Sequence, residues 1–277
     1  MKIDRRLLYL VSVALVAVTI FMPLGLPVKV SPLAVQTYDA IQNLPDNSVV
    51  LIAPMYDPGA AGELNPMLKA MLYQCMERGY RIILGNTNWT LGVSLAHNMI
   101  TPIAAEFNYV YGTDYIEFGS KPGGSVWMQS AKTDLAGAAI VDYNNDPIGQ
   151  FPLIQAVPRL TQEYIAAVLV LDCGTPGAVE WLQIITQGTS IKLIVGEIQM
   201  SVPDSMTYVQ SGQYNGMIAG SRGGAEYEQL VGRPGAALKS QDTMSVIALM
   251  VALFIVLGNI GYVTRKRLGG PLRGSLA

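Results

Sequence analysis

The chain has 277 residues, 51% hydrophobic and only 14% charged, well under the roughly 25% charged of a typical soluble domain, so part of the apolar content must lie outside an ordinary core. Its formal net charge is −2, and most of its acids lie between residues 30 and 242, which argues against a nucleic-acid binder, because such binding needs basic side chains to neutralise phosphates. One His and two Cys cannot by themselves build a typical zinc site, so no metal and no cofactor are expected.

The chain opens with a basic leader, residues 1–6, carrying Lys2, Arg5 and Arg6 against Asp4. Residues 7–28 follow, interrupted by no ionisable side chain except Tyr9. A helix rising about 1.5 Å per residue needs about 20 apolar residues to cross a hydrocarbon core about 30 Å thick, so this run reads as a transmembrane helix. The alternative is a cleaved signal peptide. Against it, no A-x-A-like site follows, the run exceeds the usual signal core of 7–15 residues, and Pro23, Pro27 and Pro32 form a stiff exit from a helix.

From residue 29 to 242 short β-branched runs alternate with helical periods. Ser48–Met55 is a continuous apolar strand ending in the turn Tyr56-Asp-Pro-Gly59, and Leu64–Arg78 has helical spacing that places Cys75 on the buried stripe with Leu68, Met71 and Leu72. Tyr80–Gly85 reads as a strand, Leu91–Phe107 as a helix, and Ala138–Val141 as a short strand inside a region whose Gly, Pro and Asn defeat periodicity. Ala166–Leu171 is a strand, Gly177–Gln187 a helix, Ile191–Gly196 a strand, Pro203–Ser211 a helix, Tyr214–Ala219 a strand and Gly223–Val231 a last helix. Continuous apolar strands bounded by helices mark strands buried on both faces. The expectation is an α/β fold, a doubly wound, mostly parallel, three-layer domain inserted between two transmembrane helices.

Residues 243–264 form the second uncharged run, and residues 265–277 a tail carrying Arg265, Lys266, Arg267 and Arg273 with no acid. Loops rich in Lys and Arg stay cytoplasmic, which puts both termini inside and the domain outside. That domain is acidic, with ten Lys and Arg against nineteen Asp and Glu between Val30 and Asp242. Cys75 and Cys173 would then share a compartment that permits a disulfide, though a buried inert thiol is the favoured reading of Cys75. In the second run Ala248 and Ala252 lie one turn apart, and Asn259 is a polar group flanked by Gly258 and Gly261. They are candidate contacts to a partner helix; alternatively Asn259 is simply hydrated near the headgroups.

Ligands of open parallel sheets bind outside the carboxyl ends of the strands, so candidate ligand-binding residues are those that follow each strand: Asp57, Asn86, Asp172, Glu197, Arg222, Gly223 and Gly224. In this reading Arg222 holds an anionic group beside the helix opened by Gly223 and Gly224, or else neutralises Asp172 or Glu197. Bland readings stand beside these. Asp57-Pro-Gly59 is a turn by composition, Lys121-Pro-Gly-Gly-Ser125 likewise, and Glu226 and Glu228 meet the dipole of a first helical turn. His97 lies beside an apolar stripe, facing surface or loop, and a Cys173–His97 nucleophile pair is conceivable but not required by spacing. No catalytic residue is assigned, because no G-x-S-x-G, H-E-x-x-H or EF-hand pattern occurs.

Leu26-Pro-Val-Lys-Val30, Lys121-Pro-Gly-Gly124, Gln210-Ser-Gly-Gln213, Gly220-Ser-Arg-Gly-Gly-Ala-Glu-Tyr-Glu228, Leu230-Val-Gly232 and Pro234-Gly235 together resemble a bacterial family of two-span membrane proteins with an α/β domain between the spans. The resemblance implies this architecture and a bacterial inner membrane, and carries over no activity, cofactor or site. At fold level the domain is also similar to periplasmic ligand-binding domains. The functional expectation is a membrane-anchored scaffold or sensor with the lipid bilayer and membrane proteins as partners, possessing a polar rim able to bind a small ligand. The alternative is a hydrolase or transferase acting on a small polar or sugar-like substrate through Asp57, Asp172 or Glu197.

Overall fold

Six apolar runs form one sheet in which every neighbouring pair is parallel: β1 (Val49–Met55), β2 (Arg81–Thr87), β3 (Tyr115–Lys121), β4 (Ala167–Asp172), β5 (Lys192–Glu197) and β6 (Gly216–Ala219). Their spatial order is β3-β2-β1-β4-β5-β6, so the winding reverses between β1 and β4. The computed structural model describes residues 5–21, 25–26 and 28–267. Its helices are α1 (Arg5–Phe21), α2 (Pro32–Gln42), α3 (Ala61–Glu77), α4 (Thr90–Glu106), α5 (Ser125–Ala131), α6 (Leu135–Ala139), α7 (Pro152–Ala156), α8 (Ala178–Trp181), α9 (Val202–Gln210), α10 (Gly220–Val231) and α11 (Ala236–Arg267).

β1 and β4 are buried along their whole length, as strands covered on both faces must be. Val50, Ile52, Ile82 and Leu84 point to the side covered by α2, α3, α4 and α10, where Ile41, Leu68, Met71, Ile100 and Tyr227 complete one core. Leu51, Ala53, Ile83, Val168 and Val170 point to the other side, against Trp127, Leu135, Leu153, Trp181 and Ile185. The result is a three-layer, Rossmann-like α/β domain. The outer edge of β6 is guarded by α2, whose Thr37 hydroxyl accepts from Met217 N–H (2.9 Å) and lies 3.1 Å from Met217 C=O.

Three of the elements named from the sequence differ in local structure, and α2 and β3 are elements that the sequence reading does not name. Ala138–Val141 is not a strand: α6 runs to Ala139, and Val141 makes only an isolated bridge to Pro147. The helix expected over 177–187 is four α residues followed by a π-helical turn, Leu182–Thr186. α10 begins at Gly220 rather than Gly223, which moves Glu226 and Glu228 out of its first turn.

By internal contacts the chain forms two units, Val28–Leu238 and the two flanking segments. In the flanking unit, one helical stretch among the described residues is long and apolar enough to cross a membrane, Ala236–Thr264 at 29 residues, or about 44 Å of helix. α1 contains a shorter apolar stretch, Tyr9–Thr19, and part of the expected first span, residues 22–24 and 27, lies outside the described residues, as does most of the basic tail. Asp242, almost fully buried, accepts N–H bonds from Gly25 (2.8 Å) and Leu26 (3.0 Å), which ties the first segment to α11.

Candidate functional site

The strand register sets Met55, Asp172, Glu197 and Ala219 side by side at the carboxyl ends of β1, β4, β5 and β6. Partners in such a row project to one face, here the side of α8 and α9, so Asp172 and Glu197 are covered by helices instead of lining an open rim. Asp172 accepts from Gly174 N–H (2.9 Å) and Ala178 N–H (2.6 Å), and a side chain at Gly177 would collide with its carboxylate. It organises the turn into α8. Burial pushes its pKa up against the pull of those backbone bonds.

Glu197 is buried as well; Ser205 Oγ on α9 donates to its Oε1 at 2.5 Å, while its Oε2 has no protein partner. Burial, with Asp172 and Asp204 adding negative charge against the Ser205 bond, lifts its pKa to about 7. A carboxyl with a single donor in such a place is tolerated as the neutral acid.

Asn86 is fully buried. Its amide donates to Pro54 C=O and to Trp89 C=O (2.9 Å), and its Oδ1 accepts from Trp89 N–H (3.3 Å), so it locks the end of β2 to the end of β1. Asp57 is exposed and closes its own turn by accepting from Gly59 N–H at 2.9 Å. Between β1 and β4, where a ligand of this fold class would lie, the Trp89 indole crosses from the β2 end, donates to Pro176 C=O (2.7 Å) and passes over Gly174. Gly92 brings α4 so close that a side chain there would strike Pro54 and Tyr56 C=O. The first turn of α3 also carries Glu63, a charge unsuited to phosphate.

Arg222 meets neither Asp172 nor Glu197. It is two-thirds exposed and pairs with Glu226, one turn on, at 3.0 Å. Gly223 and Gly224 do not open the helix either; they permit close packing, Gly223 on Ile218 and Gly224 on Ala237. Arg222, Gly223 and Glu226 share a cavity of about 220 Å³ with Ser31, Ala34 and Gln199, below the 300 Å³ at which ligand pockets usually start.

Glu226 and Glu228 are buried fasteners. Glu226 Oε2 accepts from Ser31 N–H (3.0 Å) and Ser31 Oγ (2.5 Å) at the start of α2. Glu228 accepts from Gly235, Ala237 and Leu238 N–H at 2.9, 3.2 and 2.9 Å, capping the first turn of α11. Sequence reading missed this, because the partners of Glu226 stand 195 residues away.

At the β3 end lies a polar cluster that the sequence reading did not assemble. Buried Glu117 on β3 has both carboxylate oxygens at 3.1 and 3.2 Å from His97 Nδ1 on α4, and Tyr143 stacks on the imidazole with ring centres 4.3 Å apart. His97, one-third exposed, thus faces the loop residue Tyr143 as expected and in addition meets a buried carboxylate. Asp142 accepts from Tyr111 hydroxyl (2.6 Å) and two backbone N–H groups, and Lys121 donates to Val141 C=O (2.7 Å). Burial raises the Glu117 pKa, against His97, and lowers that of Lys121. Lys121, Asp142 and Tyr143 line a groove of about 220 Å³ with Thr90, Ser94 and Ser120.

His97 packs with β3 while Cys173 follows β4, and β2 and β1 stand between those strands, so the two do not form a nucleophile pair. Both cysteines are free. Burial pushes the Cys75 thiol up to about 12, and burial with three nearby carboxylates also raises Cys173, so neither is an activated thiolate. No group of His, Cys, Asp and Glu among the described residues could hold a metal ion. Ala248, Ala252 and Asn259 lie exposed along α11. Comparison of the chain with family models, with curated proteins and with solved structures finds no match.

Proposed function

We propose that this chain is a two-span membrane protein whose acidic α/β domain stands outside the cytoplasm as a membrane-anchored scaffold or sensor component of a membrane assembly. The observation that carries the reading is the placement of three buried carboxylates at the junctions of the chain: Asp242 on Gly25 and Leu26, Glu226 on Ser31, and Glu228 on Gly235, Ala237 and Leu238. Buried carboxylates must be matched by donors, and here the donors are the peptide groups where the domain joins its flanking segments. The filled crevice beneath Trp89 and the small cavities at the strand ends speak for contact with partners over turnover of a substrate.

Purification in mild detergent, with photo-crosslinkers at Ala248, Ala252 and Asn259, tests this. A stoichiometric membrane-protein partner is expected; a chain that comes out alone and crosslinks to nothing would refute the scaffold reading. The second reading, an enzyme or binder of a small polar molecule, moves from Asp57, Asp172 and Glu197 to the β3 end. There a buried carboxylate orients an imidazole, the arrangement a general base requires.

A further inference from the structure

We infer that the groove at the carboxyl end of β3 binds a small oxyanion, a phosphate or a short carboxylic acid, through the Lys121 ammonium. The inference rests on the second reading above, a small polar molecule at the β3 end, and names the chemistry of that molecule.

The groups open to the groove are donors. Lys121 is half-buried where β3 ends, and of the three N–H groups of its ammonium one is given to Val141 C=O at 2.7 Å. Among the described residues it forms no ion pair. Thr90, Ser120 and Asn145 also line the groove, and their side chains bond to no described residue. Donors gathered around one unpaired cation suit a ligand rich in acceptors, and an oxyanion supplies the opposite charge as well.

The acids at this end do not cancel that cation. Asp142, 3% exposed, lines the groove but holds the Tyr111 hydroxyl and the N–H groups of Asn144 and Asp146. Glu117 faces His97, and Asp146 is exposed and outside the residues that line the groove. Other acids of the domain act across solvent, where charges more than about 8 Å away are screened at physiological salt. The local cation therefore decides the sign of the ligand.

The backbone around Lys121 is strained. Ile140, 70% exposed, has φ 62° and ψ −61°, the centre of a γ-turn closed by Val141 N–H on Ala139 C=O at 2.7 Å. A β-branched residue is an outlier there, and the residue after it supplies the carbonyl that receives Lys121. A β-bulge also breaks the β2–β3 register between Leu84 and Gly85, opposite the stretch that leads into Ser120 and Lys121. Bulges and strained turns gather beside functional sites.

Size narrows the ligand. A groove of about 220 Å³ has room for about seven water molecules at about 30 Å³ each, enough for phosphate or a carboxylic acid of about two to four carbons and too little for a nucleotide.

The chain has one histidine, so its imidazole gives a single NMR signal, and Tyr143, which stacks on that ring and lines the groove, carries a change in the groove to it. The test follows that signal in the full chain in detergent, at fixed pH, as sodium phosphate, sodium acetate or glucose is added against sodium chloride of equal ionic strength. Phosphate and acetate are expected to shift it saturably by about 10 mM, tenfold above a Kd of about 1 mM, and Lys121→Gln to weaken both at least about tenfold. Chloride and glucose are expected to leave the signal in place. In the wild-type chain phosphate should also slow acetylation of Lys121 by acetic anhydride at least about threefold relative to exposed Lys69, a readout that depends on no variant folding. No saturable shift with either anion, an equal shift with chloride, an affinity unchanged by Lys121→Gln, or an unprotected Lys121 would each overturn the inference. If glucose alone shifts the signal, the oxyanion is wrong and a small polar molecule at the β3 end stands. If nothing shifts it, both fall.

Discussion

The two ends of the sheet treat buried carboxylates differently. Beside β6, Glu228 is met by three peptide N–H groups at a helix start, and Glu226 by the Ser31 peptide N–H and hydroxyl and by Arg222. On β3, equally buried Glu117 is met by the imidazole of His97, a side chain that remains one-third open to water and lies under Tyr143. A carboxylate held by backbone cannot change partners without unfolding the junction it closes, so it acts as a fastener. A carboxylate facing an accessible imidazole can steer a proton. The contrast separates an end of the sheet closed by fixed donors from an end where a carboxylate faces a partly open side chain.

The sharpest way to break the contrast is Glu228→Ala. Three N–H groups would lose a charged acceptor at once, and urea unfolding of the full chain in detergent should show a loss of about 3 kcal/mol or more. A loss under about 1 kcal/mol would mean that water or another acceptor serves these groups.

Glu197→Gln probes a carboxylate between the two extremes, one with a single donor. Its folded pKa of about 7 lies above the ordinary 4.5, so the folded state keeps the proton longer than the unfolded state. The stabilising contribution is complete below pH 4.5 and is lost as pH rises to about 7. Stability measured across that window should fall in the wild type, relative to Glu197→Gln, by on the order of 3 kcal/mol. Parallel curves for the two proteins would show that Glu197 ionises normally.

At the β3 end a double-mutant cycle sharpens the comparison. His97→Ala should cost about 1–3 kcal/mol by stranding the Glu117 carboxylate, and Glu117→Gln in that background should recover part of it, a coupling of about 1 kcal/mol. Strict additivity would mean that the two side chains are neighbours without a working bond. The smallest effect is expected of Arg222→Gln, under about 0.5 kcal/mol in the same unfolding assay, because the Arg222–Glu226 pair is largely in water on the arginine side.

What the sequence disclosed follows the same division. β1, β2, β4 and β5 are continuous apolar runs that have no other use than burial on two faces, and α3 and α4 show their buried stripes openly. β3 was hidden because Tyr115-Ile-Glu-Phe-Gly-Ser-Lys121 carries a glutamate where an apolar residue is expected, and only its pairing with His97, twenty residues away, explains it. α2 was hidden by Pro32, read as a helix exit when it stands at the first turn behind the Ser31 cap. Gly223 and Gly224 of α10 read as opening a helix that holds an anionic group, and contact with Ile218 and Ala237 accounts for them instead. The open rim was misjudged at two residues for a related reason: strand ends do converge, but pleat and register turned Asp172 and Glu197 under α8 and α9.

The account stands or falls on the domain being held outside the cytoplasm by two crossings. Single cysteines at Gln213 and Ser275, in a Cys173→Ser background, can be challenged in intact cells with a membrane-impermeant thiol reagent; Gln213 is exposed on the folded domain. The account predicts labelling at Gln213→Cys in intact cells and at Ser275→Cys only after the membrane is opened. Labelling of Ser275→Cys in intact cells, or protection of Gln213→Cys until permeabilisation, would contradict it.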